Sequence, residues 1–94
     1  MTVAYHLCAY DMATDRLIAE HPLPEALLPL VRTLITPAPE DRDLILPYEL
    51  TTGAAMTLSR ALGLTIDPVK YRYYFEASDA ADTGLGQEVA TSAR

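Results

Sequence analysis

His6 and Cys8 stand two residues apart in a stretch whose apolar groups alternate, and Glu20 and His21 lie in the next such stretch. On a strand, residues two apart point the same way, with Cα atoms about 6.5–7 Å apart. An imidazole, a thiol and a carboxylate on one face could make a small metal site, or a thiol nucleophile served by a histidine. The spacing permits shared ligation but not a direct hydrogen-bonded dyad, and no motif supplies a third group to orient the histidine. The same residues used structurally are a small apolar filler and a histidine beside an acid. No catalytic residue is assigned and no cofactor is expected. His6, Cys8 and Glu20 stand as an alternative metal or enzyme centre.

Other chemistry is thinner. Asp41 and Asp43 bracket Arg42 in a charged run that begins at Glu40. Paired carboxylates can serve hydrolysis, but such a run between two elements is more simply a solvated loop. Ser59 has no nucleophile motif around it and is expected to bond to its own helix. Gly84-Leu85-Gly86 does not lead from a strand into a helix, so it is no phosphate cradle.

The elements that must position these groups can be read from periodicity. Residues 3–10 and 16–21 alternate as two strands of a hairpin; Asp11 can accept from the amides after it, and Asp15 tolerates a left-handed conformation. Pairing Tyr10 with Arg16 puts Val3, Tyr5, Leu7 and Ala9 with Leu17, Ala19 and His21 on one face. His6, Cys8 and Tyr10 then share the other face with Arg16, Ile18 and Glu20, and His6 faces Glu20; a bulge at the turn would change this register. A helix is expected over 25–35, with Pro29 either delaying its start to near Leu28 or bending it. A strand is expected over 43–50, at an edge because Pro47 has no amide hydrogen. A second helix runs from a Thr51 or Thr52 cap to Leu62, with Gly63 as the left-handed residue beyond it.

The last strand, 69–77, carries three of the six tyrosines and the sole phenylalanine. Tyr71, Tyr73 and Phe75 share one parity, and Arg72, Tyr74 and Glu76 the other. The expected fold is a two-layer α+β sandwich in the order β-β-α-β-α-β. It has a four-stranded, mostly antiparallel sheet with two helices on one face. Strand order stays open: as neighbours, the last two strands would form a parallel crossover around the second helix, whereas apart they could run antiparallel. The domain spans 1–78, and the small polar residues of 79–94 form a flexible tail.

Size and charge bound the function. Ninety-four residues make one domain with one modest core. A net charge of −6 disfavours nucleic acid and anionic membranes as partners and suits a basic protein. The single cysteine excludes an intramolecular disulfide. No basic start precedes an apolar run, so no signal peptide is expected and the cytoplasm is the expected compartment.

The hairpin Tyr10-Asp11-Met12-Ala13-Thr14-Asp15-Arg16-Leu17, the run Pro22-Leu23-Pro24 and the closing Tyr71-Arg72-Tyr73-Tyr74-Phe75-Glu76-Ala77 resemble small uncharacterised bacterial α+β proteins. Some of those resemble immunity proteins encoded beside polymorphic toxins. The likeness covers about residues 3–78 and rests on structural motifs, so it carries over no binding residue. It implies a non-enzymatic module that neutralises one partner; the acidic charge suits a basic toxin. Expected contacts are Arg72, Tyr74 and Glu76 on the open face and Glu40, Asp41 and Asp43 in the loop, because Tyr and Arg bury area while keeping a polar tip. A homodimer that pairs its open sheet faces is the structural alternative.

Overall fold

The computed structural model describes residues 3–79. Its elements are β1 (Val3–Asp11), β2 (Leu17–Leu23), a 3-10 turn (Glu25–Leu27), α1 (Leu28–Leu34), β3 (Tyr48–Glu49), α2 (Thr52–Leu62) and β4 (Tyr71–Asp79). The sheet order is β2-β1-β4-β3, and every pair is antiparallel. This is the expected α+β order, with both long strands at the centre. β4 runs one residue past the expected domain end at 78; the rest of the expected tail lies outside the described residues.

The first turn folds as its residues dictate. Asp11 Oδ1 accepts from the amides of Ala13 (2.7 Å) and Thr14 (3.3 Å), and Asp15 takes φ 62°. The register is not the expected one. Tyr10 pairs with Leu17, and past a bulge Ala9 pairs with Ala19, Cys8 with Glu20 and His6 with Pro22. The turn holds Arg16 itself, whose carbonyl accepts from Asp11 N–H at 2.9 Å, so pairing starts one residue later. The bulge at Ile18 adds a second residue. Past the bulge a shift of two keeps Ala19, Glu20 and His21 on their expected faces, but Glu20 now faces Cys8 instead of His6. Leu17, expected opposite Ala9 on the covered face, pairs with Tyr10.

Pro29 causes no bend. The regular helix begins at Leu28, which puts the proline in the first turn, where no amide hydrogen is required. α2 has both expected ends: Thr51 Oγ1 accepts from Ala54 N–H at 3.1 Å, and Gly63 sits at φ 71°. Ser59 donates to Met56 O at 2.8 Å within that helix, as expected.

The strand expected over 43–50 shrinks to two residues. Asp41 accepts from Ile45 N–H (2.8 Å), Leu46 N–H (3.0 Å) and the Tyr48 hydroxyl (2.6 Å), so these amides are bound to a carboxylate and cannot join a ladder. Leu44 turns left-handed at φ 56° and is fully buried, whereas Leu46 points outward. β3 and β4 are neighbours yet antiparallel, which matches neither of the two arrangements left open by the sequence, parallel neighbours or separated antiparallel strands. Eleven helical residues advance only about 16 Å, and the following segment brings the chain back to the end it left. Leu50 N–H accordingly reaches Tyr73 O at 2.8 Å.

The core lies on one sheet face. Tyr5, Leu7, Ala9, Leu23, Tyr73 and Phe75 pack with Val31 of α1 and Ala54, Ala55 and Leu58 of α2. Tyr5 and Phe75 stack with ring centroids 5.4 Å apart. Tyr5 keeps its hydroxyl satisfied by donating to Asp43 O at 2.7 Å.

Candidate functional site

The opposite parity of the same strands makes the open face. β1 contributes His6, Cys8 and Tyr10, β2 contributes Glu20, and β4 contributes Arg72, Tyr74 and Glu76. Glu49 of β3 pairs with Tyr74 and is exposed. Neither helix contributes to this face.

Tyr10 organises it. Its backbone pairs with Arg72, yet its hydroxyl donates to Glu76 Oε2 at 2.7 Å, two pairs further along the sheet. The ring must lean over the intervening pair, Cys8 and Tyr74. It meets Tyr74 edge-on at 5.4 Å with an interplanar angle of 82°. This explains why Cys8 is 0% exposed on the face opposite the one that α1 and α2 pack against. The thiol donates weakly to Glu20 Oε2 at 4.0 Å, with Glu76 also within reach. Burial pushes the Cys8 thiol far up, and the Glu76 and Glu20 charges push it further. Burial and the bond to Glu76 raise the Tyr10 hydroxyl in the same way.

A shallow depression of about 270 Å³ lies beside this pair, lined by Tyr10, Asp15, Pro47, Arg72, Tyr74 and Glu76. Arg72 Nη1 reaches Asp15 Oδ1 at 3.5 Å, a long contact between exposed groups that contributes little to stability. It ties β4 to the first turn.

His6 is 9% exposed, and its cross-strand neighbours are Glu76 and Pro22. His21 pairs with Leu7 and so has the parity of the covered face. Among the described residues no three His, Cys, Asp or Glu side chains stand together as a metal site. A buried thiol raised this far is a poor nucleophile at neutral pH.

The six expected contact residues do not form one patch. Arg72, Tyr74 and Glu76 share the depression. Loop 40–43 is fastened to tyrosines of the covered face, through Asp43 O to Tyr5 and Asp41 to Tyr48. Asp41 is 8% exposed and its carboxylate is engaged internally. Burial alone would raise this carboxyl, but the bonds from Tyr48, Ile45 and Leu46 and the Arg32 charge outweigh it and hold the carboxyl below its usual value. Glu40 and Asp43 remain exposed. Sequence reasoning missed Pro47 and Asp15 as walls of the depression. The left-handed signal at Asp15 was legible, its reach to Arg72 was not.

No helix among the described residues is long and apolar enough to cross a membrane. No curated protein and no solved structure matches the chain. A family model does match it over residues 4–76, and the chain belongs to that family, the Domain of unknown function (DUF7683).

Proposed function

We propose that this chain is a non-enzymatic protein-binding module that docks a partner on the open face of its sheet. In the finer reading it acts as an immunity-like protein in a bacterial cytoplasm and neutralises a basic toxin. The observation that carries the proposal is the Tyr10–Tyr74 pair with Arg72 and Glu76 around a depression to which neither α1 nor α2 contributes a lining residue. Tyr and Arg dominate binding energy at interfaces because each buries a large area and retains a polar end. The net charge of −6 supports a basic partner through long-range attraction. The shielded thiol of Cys8 speaks against an enzyme built on His6, Cys8 and Glu20.

The test is affinity capture from the source organism's lysate with the native chain and with the double variant Tyr74→Ala/Arg72→Ala. Any captured protein is then purified and titrated. We expect a basic protein whose affinity weakens with salt and falls at least about tenfold in the variant, the size of one interface hot spot. A partner held equally by both forms, or no partner, overturns the proposal.

A further inference from the structure

We propose that the depression beside Tyr10 and Tyr74 receives one guanidinium side chain of the partner, anchored on Glu76. The inference rests on the reading of the open face as a docking face and adds the chemistry of its anchor.

Glu76 is half-buried, and the groups that meet its carboxylate are neutral donors. The Tyr10 hydroxyl lies at 2.7 Å, and the Cys8 thiol is also within reach. The one ion pair among the described residues takes Arg72 to Asp15 instead. Arg72 and Glu76 lie four residues apart on β4 with Tyr74 between them, so the cation is held at the far end of the depression. Among the described residues no ion pair engages the Glu76 carboxylate; its cross-strand neighbour is His6. A carboxylate in this state gains most from an incoming donor that is itself charged.

The walls suit a flat cation. Tyr74 is half-exposed beside Tyr10, and guanidinium groups stack on aromatic faces. Pro47 closes one side. Pockets for cofactors and drug-sized ligands measure about 300–1,000 Å³; at about 270 Å³ this depression is below that range and suits a single long side chain. Its lining holds two carboxylates against one guanidinium, and the exposed acids Glu20 and Glu49 pair with the open-face residues Cys8 and Tyr74. The local balance is negative, which favours arginine over an acidic or phosphate-bearing ligand.

The experiment titrates Nα-acetyl-arginine amide into the ¹⁵N-labelled full chain at low salt, with Nα-acetyl-citrulline amide as the uncharged isostere. We expect saturable shifts centred on Tyr10, Tyr74 and Glu76 with arginine and none with citrulline. Glu76→Gln, whose folding the same spectra report, should weaken binding about tenfold or more, as the loss of a charge-assisted contact does. Tyr74→Leu should weaken it as well, and Glu25→Gln, an exposed acid of the 3-10 turn outside the depression, should leave it unchanged. Equal shifts from citrulline, shifts scattered over all surface carboxylates without saturation, or an unaltered Glu76→Gln overturns the proposal. If the arginine probe fails while a native partner is still lost in Tyr74→Ala/Arg72→Ala, the anchor falls and the docking face stands. If the probe saturates but no protein docks, the reverse holds.

Discussion

Cys8 shows how a neighbour decides what a reactive group can do. Its thiol faces the uncovered side of the sheet, yet the Tyr10 ring and two carboxylates leave it buried and protonated. Iodoacetamide at pH 8 should alkylate it roughly a hundredfold or more slower than a free cysteine, because each pKa unit removes about a factor of ten in thiolate. Tyr10→Ala should restore most of that rate, whereas Tyr10→Phe keeps the ring and should keep the protection. Native protein that reacts as fast as urea-unfolded protein would contradict this shielding. Parity was enough to put His6, Cys8 and Glu20 on one face. It could not show a side chain reaching two pairs along the sheet.

At the scale of elements, α2 stands on its two ends. Thr51→Ala removes the cap to Ala54 and should cost about 1 kcal/mol. Gly63→Ala forces a side chain onto φ 71° and should cost a similar amount, about 1 kcal/mol. Urea unfolding with an unchanged m-value would show both losses, and a midpoint unmoved by either would disprove the assigned caps. These ends were legible because a cap involves residues within about four positions of each other. β3 was misread because alternation at Leu44, Leu46, Tyr48 and Leu50 suits a strand, while the carboxylate that claims the amides of Ile45 and Leu46 precedes them at Asp41.

At the scale of the molecule, two sets of groups set the pH window of the fold. Asp41 is held below its unfolded value of 3.8, so its contribution is complete above about pH 4 and is lost as pH falls through the lower folded value. Cys8 is held above its unfolded value of 9.0, and Tyr5, Tyr10 and Tyr48 above 10.0. Their joint contribution is therefore complete only below about pH 9 and is lost as pH rises through the folded values. A Tm profile should be flat between these limits. Asp41→Asn should lower the plateau more than Glu40→Gln does and flatten the acid limb; an acid limb of unchanged slope in Asp41→Asn would remove Asp41 as its cause.

The order of residues by itself determined the alternation of each long strand, the turn at Asp11 and Asp15, the extent of α2 and the division of the last strand into two faces. Each depends on side-chain period or on bonds between near neighbours. Only tertiary structure decided the β2 register, the antiparallel pairing of β3 with β4, and the Tyr10–Glu76 bond that shapes the open face. That bond joins residues 66 positions apart. Nothing local encodes such a contact; it forms because β1 and β4 meet at the centre of the sheet.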